Sequence, residues 1–250
     1  MNRTGLIIAL VIAAVVGLTF GFYPELDLKI SAWLFERVGW RTFDTSGWDM
    51  LRDVAMWVIV LIAAPAALAL AVKLVRPRTR LLLPGRAIIL LLSTLALGPG
   101  LMTNIVLKDH WGRARPADIV QFGGKESFQP WWEWRGACAR NCSFVAGEPS
   151  GAFWTLAPAA LAPAAWRAYA NAAAILFGAG VGALRMAFGA HFFTDVVFAG
   201  VFTFLLIWCV HGLLYRWRPT RLSDQSVERA LEAVSPARWF PRKRKAEKGS

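Results

Sequence analysis

Long apolar runs alternate with short polar segments along the whole chain, and their lengths predict its architecture. A helix needs about 20 apolar residues to cross a bilayer core of about 30 Å. Runs close to that length occur at residues 5–22, 54–74, 87–107, 151–167, 170–188 and 192–214. The pattern therefore predicts an all-α integral membrane protein whose six transmembrane helices form a bundle.

The first run and the boundary between the fourth and fifth runs affect the count of transmembrane helices. The first begins close to Met1, as a signal peptide does, but no small-residue cleavage site closes it and FGFYPELD follows directly. We therefore interpret it as a retained transmembrane helix. The fourth and fifth runs are separated by a short break at residues 166–168.

The distribution of charge predicts how the bundle is oriented. Hydrophobic residues make up 56% of the 250 residues and charged residues only 18%, yet the net charge is +12. The positive charges concentrate in the 75–86 linker and in the tail from Arg216 onward. By the positive-inside rule these regions and both termini are cytoplasmic, and the segments that lie outside are 23–53, 108–150 and 189–191.

This orientation divides the chain into a six-helix membrane domain, residues 1–218, and a basic cytoplasmic tail, residues 219–250. We expect the tail to attract anionic membrane lipids, because no nucleic-acid motif accompanies its charge. Nucleic acid is therefore not an expected partner. Oligomeric state is left open.

The predicted outer segments contain a helical pattern and a pair of cysteines. The apolar residues of LKISAWLFERVGW recur at helical spacing, which indicates a helix lying along the membrane surface. Cys138 and Cys142 follow in CARNC. An oxidising compartment such as a bacterial periplasm permits a disulfide between them, and the spacing also suits two free thiols.

Three polar clusters reach the predicted outer face, and the third is the most informative. It is LRMAFGAHFFTD, where His191 and Asp195 are four residues apart and so share one face of a helix. A carboxylate that accepts from one ring nitrogen leaves the other nitrogen nucleophilic. A satisfied polar pair is the simpler interpretation, but Arg185 lies six residues earlier and its guanidinium suits phosphate oxygens.

The other two clusters are weaker when taken separately. KDHWGRARP carries Lys108 and Arg115, which mark a membrane boundary or converge on one anion. CSFVAGEPSGAFW carries Pro149-Ser150-Gly151 at the start of a predicted span, which is a helix cap or an anion site made by backbone N–H groups.

Taken together, the clusters carry a recognisable signature. Lys108-x6-Arg115-Pro116, Pro149-Ser150-Gly151 and Arg185-x5-His191-x3-Asp195 follow in this order. They resemble the three-part signature of the type-2 phosphatidic acid phosphatase family over roughly residues 85–215. The resemblance implies a lipid phosphatase in the bacterial inner membrane, with its active site at the outer, periplasmic end of a six-helix bundle.

The resemblance also implies roles for the matching residues. His191 would attack phosphorus and form a phosphohistidine, and Asp195 would orient its ring. The phosphate oxygens would be held by Lys108, Arg115, Arg185, Ser150 and backbone N–H groups near Gly151. No metal or other cofactor is implied, because positioning and charge stabilisation supply most of the catalysis in phosphoryl transfer.

One position departs from the family pattern. The second motif is Pro-Ser-Gly-His, whose histidine protonates the leaving group, but this chain has Ala152 in fourth place. Three interpretations stay open. Residues 144–148 align with Phe-Pro-Ser-Gly-His, so that Glu148 is the acid; or His110 donates the proton; or the chain lacks its acid and is impaired.

The expected substrate is a phosphorylated membrane lipid. Lipid A comes first because the wide outer loop, with Trp131, Trp132 and Trp134, suits a large amphiphile. Phosphatidylglycerol phosphate and polyprenyl diphosphate follow. The alternatives are a lipid phosphotransferase that uses the same pocket and a non-catalytic binder of lipid phosphate.

Overall fold

The computed structural model describes residues 2–40 and 46–235 of the chain. Regular structure in these residues is helical, apart from one isolated bridge between Ile119 and Glu126. The all-α prediction is therefore confirmed for the described residues. The α-helices are α1 (Arg3–Phe22), α2 (Glu25–Val38), α3 (Ser46–Val75), α4 (Gly85–Leu95), α5 (Lys108–His110), α6 (Gly147–Phe153), α7 (Leu156–Ala160), α8 (Arg167–Ala187), α9 (Phe193–His211) and α10 (Asp224–Val234).

Five segments among the described residues are long and apolar enough to cross a membrane. They are Arg3–Phe22, Gly47–Val75, Gly85–His110, Arg167–Ala187 and Phe193–Arg216. Two of them are lengthened by π-helical turns, because Ala96–Leu107 continues α4 into α5 and Gly212–Arg216 continues α9. These segments correspond to the first, second, third, fifth and sixth runs of the sequence pattern.

The fourth run, 151–167, is not one continuous helix, which corrects the prediction for this segment. The chain forms α6 and α7 there, and nearly all of their residues are buried. Pro158 has no N–H to donate to the Trp154 carbonyl, which accepts from the backbone N–H of Ala157 at 2.8 Å instead. The pair packs against α3, α4, α8 and α9. Its hydrophobicity reflects enclosure by other helices rather than contact with lipid.

The helices have two chemically different ends. At the first, which we call the polar end, Lys108 lies within electrostatic range of Glu148, Arg185 and Asp195. At the opposite end α10 packs on α3 and α4. The chain reaches the polar end along Gly85–His110 and again along α8, so its functional motifs come together there.

Three ion pairs join α10 to α3 and α4. The Nζ of Lys73, in the last turns of α3, lies 2.8 Å from Glu228 and 2.7 Å from Glu232. The Arg86 guanidinium at the start of α4 lies 2.9 Å from Asp224. This part of the predicted tail is therefore held against the bundle. Residues 236–250 lie outside the described residues.

Helix α2 covers the polar end. Its apolar residues Leu28, Ala32 and Phe35 pack against a cluster formed by Ala114, Ile119, Phe122 and Phe192. Trp33 on another face is exposed and stacks under the Arg37 guanidinium at 3.9 Å. The helix predicted from residues 28–40 is therefore confirmed, and its position along the membrane surface stays a prediction.

Close packing between α6 and α8 depends on glycine. The Phe153 ring lies against Gly178 of α8 and Gly200 of α9, where an added Cβ would come within 2.2 Å and 3.0 Å of the ring. Because α6 also carries Gly147 and Glu148 to the polar end, the Phe153 contact helps to set the position of the site.

We predict that Gly178→Ala lowers the melting temperature of the purified protein by about 5 °C, because the new methyl group overpacks the Phe153 ring. Gly180→Ala is the matched control, since it lies on the same helix with nothing within 4 Å of its added Cβ. It is expected to leave the melting temperature unchanged or raised. Equal melting temperatures for the two variants would contradict this packing.

Candidate active site

His191 lies in the short connection between α8 and α9. Gly189 turns the chain there with φ of +64°, a left-handed conformation that glycine adopts without strain. The imidazole is almost fully buried, and its Nδ1 lies 2.8 Å from the carbonyl oxygen of Ser143. A carbonyl oxygen only accepts, so Nδ1 carries the proton of the neutral ring and Nε2 carries the nucleophilic lone pair.

Asp195 does not accept the proton of His191 directly, which corrects one detail of the predicted arrangement. Its Oδ2 is 3.8 Å from Nδ1, beyond hydrogen-bond distance. The carboxylate instead accepts from the backbone N–H of Phe192 at 2.8 Å and from the Ser143 hydroxyl. Ser143 thus joins the two residues, because its hydroxyl donates to Asp195 and its carbonyl accepts from His191.

The protonation of His191 follows from its surroundings. Burial lowers the pKa of the imidazole below its usual range, and the charges of Lys108 and Arg115 act in the same direction. Asp195 opposes this shift without reversing it. The ring is therefore neutral near pH 7, as a nucleophile must be.

Arg113 is the largest buried charge at the polar end, and the sequence did not assign it a role. Its guanidinium is fully buried and lies 2.5 Å from Asp195 and 2.8 Å from Asp27. It also donates to the Gln129 carbonyl and to the Thr194 hydroxyl. Arg113 belongs to the basic segment KDHWGRARP, but no sequence pattern links it to Asp27, which lies 86 residues earlier.

The three predicted phosphate-binding cations lie at the polar end, and two of them, Lys108 and Arg115, act electrostatically on His191. Lys108 Nζ lies 3.1 Å from Asn141 Oδ1, and the Arg115 guanidinium donates to the Asn141 carbonyl at 2.9 Å. Asn141 therefore holds both side chains on one side. Arg185 reaches the polar end from the last turn of α8.

A cavity of about 490 Å³ opens beside these residues. Arg115 and Arg185 line it, together with Trp40, Arg140 and Asn141. Cavities of this volume accommodate small ligands or headgroups. The cationic side chains in its wall place positive charge at the protein surface, next to the buried His191.

Glu148 also lies at the polar end, in the first turn of α6. Its Oε1 accepts from Arg52 Nε at 2.8 Å, and its Oε2 pairs with Arg185 Nε at 3.0 Å. Gly147 beside it approaches Lys108 so closely that a Cβ would lie 3.3 Å from Nζ. Glu148, the last residue of the 144–148 register, therefore lies beside the predicted phosphate-binding cations, and its role as the acid stays a prediction. Arg52 was not identified from the sequence.

The residues of Pro149-Ser150-Gly151-Ala152 lie deeper in the bundle. Ser150 Oγ lies 3.1 Å from the Thr103 hydroxyl and 2.8 Å from that of Thr203. Ala152 is fully buried in the central apolar cluster, and a Cβ on Gly151 would contact Ile59. The structure does not bring Ser150 or Gly151 to the phosphate-binding cations, because one helical turn separates them from Gly147.

Two further predictions concern His110 and the cysteines. His110 is exposed, and its Nδ1 lies 2.9 Å from the Val106 carbonyl of its own helical segment. Cys138 and Cys142 form a disulfide. Among the described residues no three His, Cys, Asp or Glu side chains are grouped closely enough to hold a metal ion. That no cofactor is needed stays a prediction.

The arrangement suits one class of chemistry. A neutral histidine with its lone pair on Nε2 lies near Lys108, Arg115 and Arg185, which favour a tetrahedral anion and the charge that develops during its transfer. Glu148 adds a carboxylate at the start of α6, where the N–H groups of Gly147 and Glu148 have no partner within the helix. These groups suit the binding and transfer of a phosphate.

Comparison with known proteins agrees with this chemistry. The family model described as the PAP2 superfamily matches residues 86–222. A protein named lipid A 4′-phosphatase from Francisella tularensis subsp. novicida is 33% identical over 227 residues, which cover 86% of this chain and 98% of that protein. Another of the same name from Rhizobium leguminosarum is 41% identical over 106 residues, 42% of this chain and 46% of that protein. No solved structure matches the chain.

The geometry predicts that Arg185 contributes to anion affinity. Orthovanadate, a phosphate analogue, is the probe, and its affinity is measured by calorimetry on the full chain in detergent. Arg185→Gln is expected to weaken binding by about 10- to 100-fold, because hydrogen bonds to charged groups contribute about 1.5–3 kcal/mol. Arg135→Gln is the control, since Arg135 is exposed near Trp134 and does not line the cavity. A similar loss in both variants would mean that only overall charge attracts the anion.

Proposed function

Because the chain belongs to the PAP2 superfamily and is a lipid phosphatase, we propose that it removes the 4′-phosphate of lipid A through a phosphohistidine on His191. The observation that carries this proposal is its similarity to the Francisella lipid A 4′-phosphatase over 98% of that protein's length. That similarity extends beyond residues 86–222, which the family model matches.

In the first chemical step, His191 Nε2 attacks phosphorus and the bond from phosphorus to the lipid oxygen breaks. The leaving oxygen takes a proton from Glu148, so the lipid departs as an alcohol. Nδ1 keeps its proton on the Ser143 carbonyl and the ring accepts a positive charge, which the nearby Asp195 carboxylate stabilises. Water then attacks the phosphohistidine, Glu148 takes the proton of that water, and inorganic phosphate leaves neutral His191 behind.

Three cations and a helix start would hold the phosphate during both steps. Lys108 and Arg115 are kept in place by Asn141, and Arg185 faces them from α8. The backbone N–H groups of Gly147 and Glu148, at the start of α6, would supply additional donors. Ser150 and Gly151 take no part in this scheme, because their contacts are internal to the bundle.

Substrate binding would also change the contacts of Glu148. Its carboxylate is paired with Arg52 and Arg185. A phosphate bound by Arg185 would compete with Glu148 for that guanidinium, which would leave the carboxyl group closer to the leaving oxygen than to Arg185.

We also propose that the chain crosses the membrane six times, with α6 and α7 as the fourth passage. The connectivity supports this, because α6 starts at the polar end and α8 returns to it. The roughly 14 residues from α6 to α7 give about 21 Å of helix, and the 161–166 turn completes the crossing. The polar end would face the periplasm, since the basic 75–86 linker is at the other end and the disulfide suits an oxidising compartment.

The exposed tryptophans of the outer loop fit a lipid substrate. Trp132 and Trp134 are 51% and 57% exposed, whereas Trp131 packs on Phe198 with ring centroids 4.4 Å apart. Exposed indoles favour the boundary between lipid and water. They lie on the same loop as Asn141, which lines the cavity.

Phosphate release from lipid A tests the proposal. The full chain in detergent is incubated with lipid A, phosphatidylglycerol phosphate or undecaprenyl diphosphate, and mass spectrometry locates the phosphate that is lost. Loss of the 4′-phosphate from lipid A is expected. His191→Ala should abolish it, whereas His110→Ala, an exposed histidine outside the site, should retain it.

Other outcomes of this assay would indicate a different function or a different substrate. Release that requires an added acceptor alcohol would indicate the phosphotransferase. Vanadate binding without turnover of any lipid would indicate a binder. Release from another lipid alone would retain the phosphatase and change the substrate.

Glu148→Gln separates a proton donor from a structural role. We expect turnover of lipid A to fall by about 10²- to 10⁴-fold, because the sugar alcohol needs a proton as it leaves. The first step on p-nitrophenyl phosphate, measured as the burst of nitrophenolate before the phosphohistidine is hydrolysed, should fall far less, because nitrophenolate leaves without a proton. Asp118→Asn, which removes a carboxylate that lines the cavity, is the control. Equal losses in the first step on both substrates would show that Glu148 only maintains the site.

A further inference from the structure

Asp27 occupies an unusual place for a residue of the first surface helix. It lies in α2, outside residues 86–222 that the family model matches. Its side chain is nevertheless buried beside the residues that hold the His191 ring. We propose that Asp27 is a positioning residue, which holds Arg113 so that Asp195 and Ser143 keep the His191 ring in its reactive orientation. This inference rests on the proposed phosphatase function.

The contacts of Asp27 form one side of a continuous network. Its Oδ2 accepts from the Arg113 guanidinium at 2.8 Å and from the Thr194 hydroxyl at 2.5 Å. Its Oδ1 accepts from the Thr194 backbone N–H at 3.2 Å. Thr194 precedes Asp195 at the start of α9, so Asp27 contacts both the backbone that carries Asp195 and the guanidinium that binds it.

The network continues from Arg113 to the nucleophile. Arg113 Nη1 lies 2.5 Å from Asp195 Oδ1, and the other Asp195 oxygen accepts from the Ser143 hydroxyl. The Ser143 carbonyl accepts from His191. Four consecutive contacts therefore join α2 to the ring, and each intervening side chain is at most 2% exposed.

Charge explains why Asp27 is needed in this network. A buried guanidinium with one carboxylate would have unsatisfied N–H donors, and removing one partner of such a pair is costly. With Asp27 present, Arg113 divides its donors between two carboxylates, the Thr194 hydroxyl and the Gln129 carbonyl. Without it, the Arg113 Nη2 group that Asp27 accepts from would turn toward Asp195, which would draw that carboxylate away from Ser143.

The apolar face of α2 docks independently of this network. Leu28, Ala32 and Phe35 pack on the cluster around Phe122 and Phe192. Neutralising Asp27 therefore leaves most of the docking surface of α2 in place. The Asp27 carboxylate therefore binds the network around Arg113, whereas the apolar residues of α2 hold the helix in place.

The test compares Asp27→Asn with Glu25→Gln in the full chain. Glu25 is two residues away in the first turn of the same helix, but it is exposed, so both variants remove one charge from α2. For Asp27→Asn we expect kcat on lipid A to fall by about 10²-fold, because a small misplacement of a reacting group has that effect. KM should stay within threefold, since Asp27 touches none of the phosphate-binding cations. Glu25→Gln should match the unaltered chain in both.

Histidine NMR provides a readout that does not depend on turnover. The chain has three histidines, and His191→Ala assigns the signal of interest. Asp27→Asn should lower the pKa of the His191 imidazole further, because an anion that stabilises its charged form is removed. The charged groups that face this ring, Lys108, Arg115 and Asp195, are unchanged. The ¹⁵N shifts should also show a mixture of the two ring tautomers.

Each outcome has a clear meaning. A kcat within threefold of the unaltered chain, or an equal loss in Glu25→Gln, would overturn the inference. If Asp27→Asn does not fold, Thr194→Val is tested instead, because that change removes hydrogen bonds but no charge. An unchanged kcat in Thr194→Val would also overturn the inference. If the unaltered chain releases no phosphate from any lipid, the proposed function fails. The NMR titration then decides the inference alone, and an unaltered His191 signal in Asp27→Asn would reject it.

Discussion

The fully buried Arg113 guanidinium imposes the strongest constraint at the polar end. A charge removed from water is tolerated only when its hydrogen-bonding groups are satisfied, and Arg113 meets this condition through Asp27, Asp195, Thr194 and the Gln129 carbonyl. These partners come from three separate parts of the chain. The requirement to satisfy one side chain therefore fixes α2, the 117–143 loop and the start of α9 relative to one another, and His191 is held between them.

The buried α6–α7 pair links this polar end to the hydrophobic bundle. Its small residues allow close approach by the surrounding helices, as the contacts of Phe153 with Gly178 and Gly200 illustrate. Internal hydroxyl groups of Thr103, Ser150 and Thr203 satisfy one another in its interior. Tight packing leaves α6 little freedom to shift. Glu148 and the first-turn N–H groups can therefore stay aligned with cations that other helices supply.

Glu148 shows how a family motif and a three-dimensional site can differ. The tripeptide Pro149-Ser150-Gly151 matches the second motif by letter, but it faces the interior of the bundle. Gly147 and Glu148, one turn earlier, approach Lys108 and Arg185. Glu148 also pairs with Arg52 and Arg185, so a substrate phosphate would compete with its carboxylate for a guanidinium.

The sequence by itself determined the helical class, five long apolar segments, the surface helix α2 and the convergence of Lys108, Arg115, Arg185 and His191. These features follow from local periodicity and from spacing along the chain. Tertiary structure decided that α6 and α7 are short and enclosed, because hydrophobicity does not distinguish burial by protein from contact with lipid. It also decided that Ser143 joins His191 to Asp195, and that Asp27 and Arg52 reach the site. Those contacts join residues that are 48 to 96 positions apart in the chain, and no local pattern records them.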